Sequence, residues 1–129
     1  MRIAVTAHGL APGSSVDGRF AVAPFTLIFD TVTGGWNRLE SPFWPRAKDA
    51  PGLRPRRLQA ERVEALITAG LDPLSFRELS AAGIEIFAAP SGTAAEAVDL
   101  LLEGRLSALR TPDAVNVRKL VRKNARITV

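Results

Sequence analysis

Arg54, Arg56 and Arg57 fill three of four consecutive positions around Pro55, just after Pro51-Gly52, with Arg46 and Lys48 upstream. Guanidinium forks and the free N–H groups of a starting helix both bind anions well. A phosphate or an acidic partner suits such a segment. The alternative is a solvated basic helix start that offsets an acidic surface. Cations are disfavoured at the positive end of a helix dipole. Three arginines there carry a small local cost, which weighs toward function.

Other residues invite chemistry, each with a plainer alternative. Arg19-Phe20 follows a Gly/Ser loop, where Arg19 is placed to contact an anion at the mouth formed by the loops after the first and fourth strands. Alternatively Phe20 plugs the core and Arg19 pairs with Asp17. His8 is the single histidine and falls at the C-terminal end of the first strand, a position that lines ligand crevices in α/β sheets. It is a metal candidate, but zinc or iron sites take about four ligands, so taken alone it reads sooner as a loop residue without a role. Pro42-Phe43-Trp44-Pro45 reads as a flap or partner-docking loop, or as two rings covering the core edge. Ser91-Gly92-Thr93 lies where a strand turns into a helix and can cradle phosphate. It lacks the spacing and lysine of a P-loop, and a capping role for Thr93 suffices to explain it.

Catalysis finds little support. Residues 2–8 hold no carboxylate, which a two-metal nuclease of ribonuclease H type needs on its first strand. A lone histidine supports no Ser/His/Asp set, and no paired carboxylates stand out. The expected protein is not an enzyme.

The elements that position these residues follow from periodicity and punctuation. Residues 2–7 alternate as a strand, with Ile3, Val5 and Ala7 on one face and Ala4 and Thr6 on the other. A Gly/Pro/Ser loop covers 8–18. Residues 25–30 form a second strand, and Thr33-Gly34-Gly35 a hairpin turn into a third at 36–40. A proline-rich loop spans 41–56, and Pro55 fits the first turn of a short helix that ends near Arg62. A buried fourth strand is expected at 63–68. Asp72-Pro73 opens a helix that ends at Ala82-Gly83. A fifth strand follows at 84–88. Thr93-Ala94-Ala95-Glu96 is a capping box, and Ala94, Ala97, Val98, Leu101 and Leu102 make the buried stripe of the last helix, closed by Gly104. The order β-β-β-α-β-α-β-α, with β-α units in its second half, predicts a mixed sheet with helices on its faces.

Length and charge set the frame. The chain has 129 residues and 47% hydrophobic content, enough for one domain with a real core. Its net charge is +4. Residues 46–62 hold six basic and two acidic side chains, and residues 114–129 five basic and none acidic. The charge is therefore local, on an otherwise near-neutral to acidic body. Residues 115–123 place Val117, Leu120 and Val121 on one helical face and basic residues on the other. Such a helix can lie on an anionic membrane, RNA or an acidic partner. It can also dock on the body, with an extra strand at 125–129. Cysteine is absent, which excludes disulfides, thiolate nucleophiles and cysteine-held clusters and fits a reducing compartment. With no membrane span and no signal-peptide pattern in the sequence, a cytoplasmic location is expected.

Several of these stretches, taken in order, resemble one family. They are Met1-Arg2-Ile3-Ala4-Val5-Thr6, Ser15-Val16-Asp17-Gly18-Arg19-Phe20, Ala23-Pro24-Phe25, the strand ending at Asp30, Ala81-Ala82-Gly83-Ile84 and Ser91-Gly92-Thr93. Each is short; their order and spacing over residues 1–110 resemble the dinitrogenase iron–molybdenum cofactor biosynthesis family, which includes NifX-type proteins, the NifB C-terminal domain and orange proteins. The resemblance implies a ribonuclease H-like three-layer α/β fold with a mixed five-stranded sheet. It also implies non-covalent holding of an iron–molybdenum or other anionic molybdenum–sulfur cluster, or its precursor, exchanged with cluster donor or acceptor proteins. With the basic segment read above, the residues expected to hold such a ligand are Arg19, Phe20, Gly52, Arg54, Arg56, Arg57 and Gly70.

The sequence departs from the family pattern in its loops. Arg19-Phe20-Ala21-Val22 stands where the family commonly reads Arg-Phe-Gly-Arg, and residues 51–57 replace a Gly-Ala-Gly turn. Thr68-Ala69-Gly70-Leu71-Asp72-Pro73 replaces Thr-Gly-Asn-x-Gly-Pro. Residues 111–129 form a basic extension outside the pattern. The competing expectation is a protein- or nucleic-acid-interaction module that kept the fold and lost the cluster.

Overall fold

The computed structural model of the protein describes residues 1–17, 20, 23–40, 53–89 and 91–110. Its elements run β1 (Arg2–Ala7), β2 (Phe25–Asp30), β3 (Gly35–Glu40), α1 (Leu53–Ala60), β4 (Ala65–Thr68), α2 (Pro73–Ala81), β5 (Glu85–Ala88) and α3 (Ala94–Leu102). The sheet order is β3-β2-β1-β4-β5. β1 pairs antiparallel with β2 and parallel with β4; β2–β3 is antiparallel and β4–β5 parallel. This is the mixed five-stranded α/β sheet expected, and its order fits a ribonuclease H-like arrangement.

Strand alternation builds the layers. Ile3, Val5 and Ala7 join Leu27, Ala65 and Ile67 in one buried cluster with Ala94, Ala97 and Val98 of α3. Ala4 joins Ile28, Leu66 and Ile86 in a second cluster with Leu58 of α1 and Leu79 of α2. Residues Ile3 to Ala7 are all fully buried, because β1 is central and covered on both faces.

Element ends differ from expectation for identifiable reasons. Val63 and Ile84 were expected as first strand residues. Both instead donate their N–H groups backwards, to the Leu58 and Leu79 carbonyls, and so close α1 and α2. Those strands therefore begin at Ala65 and Glu85. The closing motif calls for a left-handed residue just past the helix. Gly83 fills that place after α2 with φ +79°, but after α1 it is Arg62, with φ 60°. α1 starts at Leu53, inside the stretch expected as loop, and has Pro55 in its first turn as expected. Gly35 belongs to β3 rather than the turn, pairing with Asp30. Leu102, expected in the buried stripe of α3, is 53% exposed. It ends the helix, and Leu106 packs against the α3 cluster from beyond that end.

Past α3 the chain returns to the sheet. Ala108 pairs antiparallel with Phe87, and Leu109 N–H donates to the Ile86 carbonyl at 2.8 Å. This lines the outer edge of β5.

The connections set the site. α1 leads into the start of β4, α2 leaves its end, and α3 leaves the end of β5. With β1, β4 and β5 parallel, all three helices begin at the C-terminal edge of those strands.

Candidate functional site

At that edge the sheet carries buried polar residues on the face covered by α1 and α2. Thr6 of β1 lies opposite Thr26 of β2, and Thr68 ends β4; all three are fully buried. The Thr6 and Thr68 hydroxyls are 2.9 Å apart. Thr6 also donates to the Asp17 carbonyl at 2.7 Å, and Asp17 N–H donates to the Thr6 carbonyl at 2.8 Å.

Asp17 reaches this place because the loop after β1 folds back on itself. Ala7 pairs with Val16, and His8 N–H donates to the Ser15 carbonyl. The Asp17 side chain is 1% exposed, with its Oδ2 3.5 Å from His8 Nδ1. The His8 side chain, in contrast, is 56% exposed.

Arg54 enters the same region from the first turn of α1. It is 5% exposed, and its Nη1 donates to the Phe20 carbonyl at 2.7 Å and the Ala23 carbonyl at 3.0 Å. Burial lowers its pKa below the ordinary arginine value to about 10, against the opposing pull of the Asp17 carboxylate. It therefore stays charged through the neutral range. Phe20 is a core residue, and its N–H donates to the Gly70 carbonyl at 3.3 Å.

The expected site residues thus separate. Phe20, Arg54 and Gly70 do meet at one edge, joined through backbone carbonyls. Phe20 fills the core, and Arg54, expected as an anion contact, is buried and donates to main-chain carbonyls. Arg56 is exposed on α1. Arg57 is half-buried and pairs with Glu61 at 3.1 Å, one helical turn on. Arg19, Gly52, the Pro42–Pro45 aromatics and the basic extension lie outside the described residues.

The start of α3 is already occupied. Thr93 and Glu96 cap each other, Ala94 N–H donates to the Ser14 carbonyl, and Ala95 N–H donates to that of Pro12. The phosphate-cradle alternative for Ser91-Gly92-Thr93 is therefore set aside: the N–H groups it needs are in use. At α2, Asp72 caps Ser75 N–H and adds a negative charge. Of the three helix starts, α1 carries arginines and has no acid in its first turn. A cleft of about 290 Å³ lies beside the start of β5, between Ser80, Glu85, Ala108 and Arg110, away from this edge.

Sequence reasoning missed Asp17 as the partner of Arg54 and His8, and it missed the threonine row. A signal for Arg54 was present: it stands four residues before Leu58, on the same helical face.

Residues 1–104 match the family model described as dinitrogenase iron–molybdenum cofactor. The chain belongs to that family. Among solved structures, it is similar to the apo form of the orange protein from Desulfovibrio gigas, with 27% identity and a TM-score of 0.77 over 86% of this chain and 94% of that one. It is also similar to a candidate NifB protein from Thermotoga, with 33% identity and a TM-score of 0.75 over 85% and 94%. A candidate dinitrogenase from Methanocaldococcus jannaschii shares the fold, with 18% identity and a TM-score of 0.64 over 87% and 97%. No curated protein matches the sequence. Family membership thus extends over the described strands and helices, and no described helix is long and apolar enough to cross a membrane.

Proposed function

We propose that the protein holds an anionic metal–sulfur cluster, an iron–molybdenum cofactor precursor or a related molybdenum–sulfur species, non-covalently at the C-terminal edge of its parallel strands. The observation that carries this is the arginine-bearing start of α1 at that edge, in a chain of this family. The chemistry of the donor set fits such a cargo. The sequence offers no thiolate. What it offers instead is positive charge: Arg56 and Arg57 on α1, the internal charge of Arg54, and Arg19 and the backbone around Gly52 and Gly70 as further contacts. Helix N–H groups and guanidinium forks suit a large, diffuse anion.

In this reading residues 1–110 are the cargo-binding unit and residues 111–129 an added basic extension. The protein passes its cargo between donor and acceptor proteins in the cytoplasm and catalyses nothing. The sequence of β1, which holds no carboxylate, supports a non-catalytic role over a nuclease one.

The test is purification under anaerobic conditions from cells supplied with molybdenum, iron and copper, followed by metal analysis and absorption spectroscopy. Coloured protein carrying molybdenum with sulfide is the expected result. Colourless, metal-free protein would sink the proposal.

A further inference from the structure

The sequence contains one histidine and no cysteine, so His8 is its one strong nitrogen or sulfur donor for a metal. An isolated histidine is normally too little for a metal site, because a bare ion needs about four ligands. A metal that arrives inside a sulfide cluster brings most of its ligands with it. It needs a single donor from the protein.

The geometry around His8 suits that task. Metal-binding histidines usually turn their second ring nitrogen toward a carboxylate, which orients the ring and raises its basicity. Here Nδ1 faces Asp17 Oδ2 at 3.5 Å. Asp17 is held on both sides: its backbone is tied to Thr6 in both directions, and its carboxylate sits in the field of buried Arg54. The His8 backbone is fixed by its bond to Ser15. The ring itself is more than half exposed, at the end of β1, the same edge as the arginine-bearing start of α1.

We propose that His8 ligates a metal ion of the cargo through Nε2, with Asp17 positioning the ring through Nδ1. This rests on the cluster-holding function above and names the atom through which the cargo is fixed. No electron transfer is involved: the imidazole lone pair fills an open position on the metal, and the Nδ1–H is polarised toward Asp17.

Two probes separate the claims. Tetrathiomolybdate is an anion whose molybdenum is already saturated by sulfide. The same anion capped by one ferrous dichloride unit is still a dianion, and its iron has chlorides that a histidine can displace. Both are titrated anaerobically into the wild-type protein and into His8→Ala, a change at an exposed side chain. Affinity is read from absorbance, and the His8 ring is followed by NMR in the wild type. The expected result is that His8→Ala weakens the iron-capped anion about tenfold or more and leaves tetrathiomolybdate unchanged. The His8 ring resonances broaden with the iron-capped anion alone. Equal affinity of both proteins for the iron-capped anion, with ring resonances unmoved, overturns ligation by His8 and leaves the anion site standing. Failure of the wild type to bind either anion overturns the cluster-holding function and the His8 proposal with it.

Discussion

Arg54 donates from Nη1 to the carbonyl of Phe20 at 2.7 Å and to that of Ala23 at 3.0 Å, so one guanidinium holds two points on the approach to β2. It does so from inside the protein, beside the buried Asp17 carboxylate. Arg54→Met keeps the bulk but leaves two carbonyls without this donor and a buried carboxylate without its counter-charge. We expect a loss of about 3–5 kcal/mol in urea unfolding, the usual result of breaking a buried charged network. Arg54→Lys, which keeps the charge and loses the fork, should recover only part of it.

The same residue fixes a pH signature. Its folded pKa, about 10, lies below the ordinary arginine value, so the folded state holds this proton less tightly. The resulting penalty is present at all lower pH and is relieved as pH rises from about 10 toward the ordinary arginine value. The stability difference between wild type and Arg54→Met is therefore expected to stay flat through the neutral range. Above about pH 10 it should move in favour of the wild type. Chemical denaturation at a series of pH values checks both parts.

The threonine row predicts opposite signs for the same substitution. The Thr6 hydroxyl serves the Asp17 carbonyl and neighbours that of Thr68, whereas the Thr26 hydroxyl is fully buried with no hydrogen-bond partner among the described residues. Thr6→Val should cost about 1–2 kcal/mol, the loss of a buried hydrogen bond. Thr26→Val removes an unsatisfied polar group at constant shape and should be neutral or stabilising by about 1 kcal/mol. Thr6→Val and Thr68→Val should combine non-additively by about 0.5 kcal/mol or more, because they share one network. Thermal or urea unfolding of the four variants decides it.

Arg62 takes the left-handed place that closes α1, with φ 60°. The side chain makes this conformation costly by about 1–2 kcal/mol, while glycine adopts it freely at some cost in unfolded-chain entropy. Arg62→Gly is expected to raise stability by about 0.5–1 kcal/mol, seen as a higher Tm. The flanking contact between Leu58 and Val63 in the core should be unaffected.

Arg56 and Arg57 should differ as anion contacts. Arg57 is engaged with Glu61 at 3.1 Å, and Arg56 is exposed. Under the proposed function, Arg56→Ala should weaken tetrathiomolybdate binding about threefold to tenfold at low salt, and Arg57→Ala less. Titration at two salt concentrations measures both, the gap between the variants narrowing as salt rises.

How much of this was legible beforehand depended on the kind of signal. The alternation of Ile3, Val5 and Ala7 against Ala4 and Thr6, the Asp72-Pro73 start and the Thr93–Glu96 box are local patterns, and each marks a strand or helix that the structure contains. Strand starts were less legible, because whether Val63 donates to the sheet or back to Leu58 depends on how α1 ends. The interior of the site was the least legible. Arginine is rarely buried unless paired, and the pairing of Arg54 with Asp17 joins positions distant in sequence. The return of residues 107–109 to β5 likewise left no periodic trace, since it is a single bridge.

That return closes one of the two margins of the sheet. A bare sheet margin is a template for adding foreign strands. On the β5 side the chain supplies its own cover through Ala108 and Leu109. On the other side β3 has a pairing partner only in β2 among the described residues, and its exposed positions include Asn37 and Arg38. Among the described residues the two flanks are therefore unlike for strand addition: one is shut by the protein's own backbone, and the other presents polar and charged side chains.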